Sequence, residues 1–143
     1  WDDVTYEPGE LKVVAYKNDE KWAEDAVKTT GEPAQLHASA DRDSISADGN
    51  DLAFVTVRVS DEMGLTVPTA NNPITIDIQG PGDIVATANG DPTNLVPFPS
   101  HTRAAFGGLA LIVIRSKIEK PGSITVAAKS LGLKEAQVVI NSQ

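Results

Sequence analysis

The chain has 143 residues, 41% of them hydrophobic, with no cysteine and a formal net charge of −8. This length suits one domain of about 100–150 residues plus an appendage, and the hydrophobic fraction is too high for a disordered chain. The acidic balance argues against a basic groove for nucleic acid and against attraction to an anionic membrane. Absence of cysteine removes disulfides, thiolate nucleophiles and Cys-ligated zinc, and no run approaches the ~18 apolar residues of a membrane span. Trp1 stands where an initiator Met would be, so the chain reads as a piece of a longer one.

Four of the seven aromatic residues, Trp1, Tyr6, Tyr16 and Trp22, fall in the first 22 positions. Glu7-Pro8-Gly9-Glu10 is a turn signal. Leu11, Val13 and Ala15 alternate with Lys12, Val14 and Tyr16, the period of a strand. Asn18-Asp19 closes a hairpin, although Asp is a poorer second turn residue than Gly. A second strand is expected through Trp22–Thr29, because a nine-residue helix would be marginal in water. Thr30-Gly31-Glu32-Pro33 reads as a linker. A lone hairpin is barely stable, so residues 1–32 are expected to be the end of a preceding β-sandwich domain plus linker, with 33–143 a second domain.

From Pro33 onward the alternation is regular. Ala34, Leu36, Ala38 and Ala40 give a strand, and Ser44–Ser46 a brief one. Ala47-Asp48-Gly49-Asn50-Asp51 is a turn, because Gly, Asn and Asp either tolerate positive φ or bond back to their own backbone. Ala53, Val55, Val57 and Val59 then define the inward face of a half-buried strand. Further strands follow at Ile74–Gln79, Ile84–Ala88, Leu109–Arg115, Ile124–Ala128 and Ala136–Ile140, while 89–102 reads as loop. Leu109–Arg115 is apolar on both faces and should be central or covered. About seven strands at 8–12-residue spacing predict an all-β fold: an immunoglobulin-like β-sandwich preceded by a β-hairpin from a truncated neighbouring sandwich domain.

Little in this pattern points to chemistry. Acid–base chemistry needs carboxyl groups brought together in one site, but the eight Glu and twelve Asp fall at turns or on polar strand faces. His37 and His101 have no neighbouring Ser or Cys to activate. Asp41, Asp43, Asp48 and Asp51 surround two adjacent turns, yet their spacing matches no EF-hand. Asn89-Gly90-Asp91-Pro92 reads as a turn whose Gly supplies positive φ. No catalytic, cofactor or metal residue is therefore assigned. Trp1, Tyr6, Tyr16 and Trp22 are the candidates for stacking on a sugar. Leu52 and Phe54, apolar on the outer strand face, are candidates for an interdomain seam.

Two sets of residues carry a family resemblance. Trp1…Tyr6-Glu-Pro-Gly-Glu-Leu11…Ala15-Tyr-Lys-Asn18…Thr30-Gly31-Glu-Pro33 resembles the end of a small sandwich domain of bacterial glycoside hydrolase family 2 enzymes. Ala47-Asp48-Gly49…Asp51-Leu52…Val55…Val59…Asp61, Gly80-Pro-Gly82, Asn89-Gly-Asp-Pro-Thr93 and Arg103-Ala-Ala-Phe106…Gly108…Leu111 resemble the C-terminal immunoglobulin-like domain that follows it. The chain departs from the family at Asn18-Asp19, where Asn-Gly is usual, and at Asn94-Leu95, where more polar residues are usual. The resemblance implies a β-galactosidase-like or β-glucuronidase-like parent with its (β/α)₈ barrel upstream. The family's acid/base is a Glu directly after an Asn, a pair this chain lacks. The expected role is a non-catalytic accessory or scaffold domain. Its partners would be the upstream catalytic and sandwich domains, with a homo-oligomer of the parent left open and an exported, periplasmic or cell-surface bacterial location implied. The alternatives are a carbohydrate-binding module using the N-terminal aromatics and an adhesin-type repeat.

Overall fold

A computed structural model describes residues 2–143 and contains eleven strands. The chain divides between Thr30 and Gly31 into two compact units.

The first unit is a two-stranded antiparallel ribbon of β1 (Glu10–Lys17) and β2 (Glu20–Lys28). Asn18 and Asp19 connect them with φ of 53° and 63°. Positive φ at both central residues is the type I′ hairpin turn, whose twist matches that of the strands; Asp fills the second position although Gly would do so with less strain. The register pairs Leu11 with Val27 and Val13 with Asp25, and a bulge follows Ala15. At the open end the Thr29 hydroxyl contacts both the Gly9 N–H, at 3.0 Å, and the Tyr6 hydroxyl, at 3.1 Å.

The second unit is a sandwich. One sheet has the order β3 (Gln35–Ala40), β5 (Leu52–Ser60), β9 (Leu109–Ser116), β7 (Gly82–Ala88). The other has the order β4 (Ser44–Ile45), β11 (Ala136–Ser142), β10 (Gly122–Lys129), β6 (Pro73–Gln79), β8 (Thr102–Ala104). Neighbours are antiparallel except β4 and β11, which run parallel. Alternation puts Val55, Val57, Val59, Ile112 and Ile114 of the first sheet inward, where they are fully buried. Ile74, Ile76, Ile124, Val126 and Ile140 of the second complete the core. Each such side chain contributes about 1.5–3 kcal/mol by leaving water, and β-branched residues suit the pleated, half-buried surface they form. The doubly apolar strand β9 lies between β5 and β7, as its composition requires; its outward Leu111 and Val113 are half-buried.

The residues immediately before β8 are loop, as expected, but Thr102–Ala104 form a short edge strand on Pro73–Thr75. Three residues are too few to register as alternation. Gly80 turns the chain between β6 and β7 with φ of 99°, and a Cβ there would collide with the Ser123 carbonyl oxygen.

Ile112→Ala leaves a cavity between the sheets and should cost about 2–5 kcal/mol in urea unfolding. Val139→Ala, at an exposed position on β11, should change stability by less than about 0.5 kcal/mol.

Candidate functional site

Trp1 lies outside the described residues. Tyr6 reaches Thr29 at the open end of the ribbon, whereas Tyr16 and Trp22 lie toward its turn end, with the Lys17 ammonium 5.8 Å from the Trp22 ring centre. Trp22 and Thr29 are seven steps apart along the chain, about 23 Å at ~3.3 Å per residue. The ribbon therefore places Tyr16 and Trp22 toward one end and Tyr6 at the other. Their exposure does not single them out: Trp22 is 72% exposed, and the aliphatic Leu11 beside the other end is 74% exposed. Most of the apolar surface of this ribbon is open, including Val13 and Val27, and only Val14 is half-buried.

Leu52 and Phe54 sit side by side on the outer face of β5, Leu52 half-buried and Phe54 39% exposed. Phe54 is cross-strand to Val113. His37, also on that face, is opposite Arg58, while the His101 ring nitrogen lies 3.3 Å from the Ile76 carbonyl in the other sheet. The two histidines are not brought together.

The aspartates act on the backbone. Asp48 accepts the N–H groups of Asn50 and Asp51, both at 2.8 Å, and these bonds hold its carboxyl below the ordinary aspartate pKa. Asp51 accepts from Ser46 N–H at 2.8 Å, and Asp41 accepts from Phe54 N–H at 2.8 Å. Among the described residues, no group of three or more His, Asp or Glu side chains converges on a point where a metal ion would sit.

Asp61 makes the most of this chemistry. It is buried, and its carboxylate accepts from Gly31 N–H at 2.9 Å and from Leu65 N–H at 2.8 Å. The Gly31 bond is the main cause of a pKa below the ordinary value, with the Leu65, Met63 and Gly64 amides adding to it against the opposing effect of burial. The carboxylate thus closes the turn after β5 and fastens the residue at which the sandwich unit begins.

A cleft of about 580 Å³ lies beside the loop between β7 and β8, lined by residues that include Asn89, Asp91, Asn94, Phe98 and Arg103. Three successive side chain–backbone turns shape the loop. Asn89 accepts from Asp91 N–H, Asp91 from Thr93 N–H and Asn94 from Val96 N–H. Beneath them lies Arg103, only 3% exposed. It donates to the Thr87 hydroxyl at 3.2 Å, Asn94 Oδ1 at 2.8 Å, Val96 O at 3.1 Å and Pro97 O at 2.8 Å. Four of the five guanidinium N–H donors are thereby engaged by neutral oxygens. Thr87 Oγ1 in turn lies 3.2 Å from Phe98 O and 3.1 Å from Ser100 O. Sequence reasoning assigned Arg103 no role. The available signal was a cation at an inward-facing position, immediately before the apolar Ala104-Ala105-Phe106.

The second unit is thus an immunoglobulin-like sandwich whose loops at one end are organised by side chain–backbone hydrogen bonds. A family model described as glycoside hydrolase family 2 C-terminal domain 5 matches residues 36–139, and a second, of a domain of unknown function, matches residues 1–23. The chain belongs to the glycoside hydrolase family 2 C-terminal domain 5 family. It is 39% identical over 98% of its length to the β-galactosidase BoGH2A of Bacteroides ovatus, of which it spans 16%. It is 29% identical over 99% of its length to a β-glucuronidase of Formosa agariphila, of which it spans 14%. Among solved structures, a glycosyl hydrolase family 2 member from Bacteroides cellulosilyticus matches 98% of the chain with a TM-score of 0.93 and 31% identity, this chain covering 18% of that one. The chain therefore spans about one-sixth of the length of these relatives.

Arg103→Leu should cost about 3 kcal/mol, because buried acceptors lose charge-assisted donors. Arg103→Lys should restore little, since an ammonium cannot reproduce the fork; urea unfolding measures the cost, and faster amide exchange across 89–101 should report the loosened loop. The Asp61 bonds give a second test. A carboxyl whose folded pKa lies below its unfolded value of about 3.9 stabilises the fold above that pH and loses the contribution as pH falls through the folded pKa. Stability followed from pH 6 to pH 2 should fall less steeply in Asp61→Asn than in the parent chain.

Proposed function

We propose that this chain is a non-catalytic accessory region of a β-galactosidase-like glycosidase, in which residues 31–143 form a scaffold domain. The observation that carries the reading is the match of residues 36–139 to a C-terminal domain model, in a chain that spans only 16% of a β-galactosidase. The local chemistry agrees with it. Asp41, Asp48, Asp51 and Asp61 spend their carboxylates on main-chain amides, and Asp77 and Asp83 are engaged with Lys129 and Lys117. Such groups shape turns and strand surfaces and are not poised for proton transfer.

The same reading makes residues 2–30 the last hairpin of a preceding sandwich domain. Leu11, Val13 and Val27 are bare in this ribbon, and a two-stranded ribbon needs a further layer to be stable. Retaining hydrolysis of terminal β-galactosides would be carried out by two glutamates of a barrel elsewhere in the polypeptide. An exported, periplasmic or cell-surface location follows from the family resemblance alone.

The test is an assay of the intact polypeptide and of the 143-residue chain with aryl β-galactosides and aryl β-glucuronides. The intact polypeptide should turn over the galactoside, and the chain by itself should turn over neither. Preferential hydrolysis of the glucuronide would overturn the substrate class. Intrinsic tryptophan fluorescence of the chain, titrated with galactose and lactose, should stay flat to millimolar sugar. A saturable change that disappears in Trp22→Ala would replace the scaffold with a carbohydrate-binding module built on Tyr16 and Trp22.

A further inference from the structure

The exposed apolar side chains of the sandwich unit are unevenly placed. Strand registers put the start of β3, the end of β5, the end of β7 and the start of β9 at one end of their sheet: Gln35 pairs with Ser60, Arg58 with Leu109 and Ala88 with Leu111. The loops 61–72, 89–101, 105–108 and 130–135 all open at this end. Hydrogen bonds stitch them together. Gly108 N–H donates to Ala70 O, Lys134 N–H to Ala34 O, the Asn89 amide to Ala104 O and the Ser130 hydroxyl to Pro73 O.

Six large apolar side chains stand exposed in these loops: Met63, Leu95, Val96, Phe98, Phe106 and Leu131. Leu95 is 94% and Leu131 97% exposed. At the opposite end, among the described residues, Ile118 is the exposed large aliphatic side chain. Six against one is not the scatter of single apolar residues expected on a free surface.

The loops that carry them are also fastened by hydrogen bonds. Arg103 and three side chain–backbone turns fix 89–101. Asp61 fixes the turn bearing Met63. Gly108, at φ of 77°, lets the 105–108 turn approach Val67 so closely that a Cβ would collide with its carbonyl oxygen. Loops already held in place lose little entropy when another surface covers them.

We propose that this end of the sandwich is a docking face for another folded domain of the same glycosidase polypeptide, one presenting an apolar surface. The inference rests on the accessory-domain reading above. Two observations choose this occupant. The relatives place this chain within polypeptides of which it is 14–18%, so a large folded neighbour is available. The polypeptide also enters the unit at this end, where Gly31 is bonded to Asp61, and a tether there holds the remainder at high effective concentration.

Hydroxyl-radical footprinting read by peptide mass spectrometry tests the proposal. Met63, the single methionine of the chain, together with Phe98 and Leu131, should be labelled at least about threefold less in the intact polypeptide than in the 143-residue chain, as burial in an interface core requires. Ile118 should be labelled equally in both. Equal labelling at all four positions overturns the proposal. If the 143-residue chain itself shows the protection and sediments as a dimer, the occupant is a second copy, which also overturns it. Leu95→Ser with Leu131→Ser changes only exposed positions; in the intact polypeptide it should return Met63 labelling toward the level of the free chain. Failure to hydrolyse any β-galactoside would count against the function reading while leaving the footprint to decide docking separately.

Discussion

Two sheets that each hide one face from water set the terms for everything else in the sandwich unit. Val55, Val57 and Val59 can face Ile74, Ile76 and Ile124 only if the strands carrying them keep their register, since a slip by one residue would turn every inward side chain outward. The central position of β9 follows from the same demand. Its inward residues complete the core, and its outward Leu111 and Val113 gain partial cover from neighbours on either side. Once this double layer is formed, the ends of the strands are fixed in space, and the loops are presented on a firm base.

Those loops are organised by a different interaction, the side-chain oxygen or guanidinium that satisfies backbone groups. Asp61 and Arg103 are opposite in charge and alike in what they do. Each is withdrawn from water and bonded to main-chain or neutral side-chain groups, and each pins a segment that has no ladder of its own. An isolated buried charge would be strongly unfavourable; distributing it over several short hydrogen bonds makes the burial tolerable. The consequence is geometric: the segments bearing Met63, Leu95 and Phe98 are fastened by these hydrogen bonds.

The hairpin shows the converse. Its type I′ turn, its register and the Lys12–Glu24 and Lys28–Glu10 ion pairs are all local, and exposed pairs of this kind contribute little to stability. With no second layer in its own unit, Leu11, Val13 and Val27 are as open as Tyr6, Tyr16 and Trp22. Exposure of Tyr16 and Trp22 is therefore a property of the ribbon as a whole and carries no special weight for sugar recognition.

Much of this architecture was legible from the amino acids. Alternation in Ala53–Val59 and Ile74–Ile78, the punctuation at Asp48-Gly49 and Gly80-Pro81, and the double apolarity of Leu109–Arg115 identified the strands and their inward faces, because a strand's period is written residue by residue. Asn18-Asp19 announced its turn for the same reason. The short strand Thr102–Ala104, the burial of Arg103 and the meeting of loops 61–72, 89–101 and 130–135 were not legible. Each depends on which distant segments the two sheets bring side by side: Arg103 is inward because β8 pairs with β6, and its partners lie six to sixteen residues away along the chain. Local sequence determined the strands, their faces and their turns, since hydrophobic periodicity and backbone preference act over a few residues. Only the tertiary structure decided which charge is buried and which apolar side chains share one end, since those are set by sheet order and strand direction.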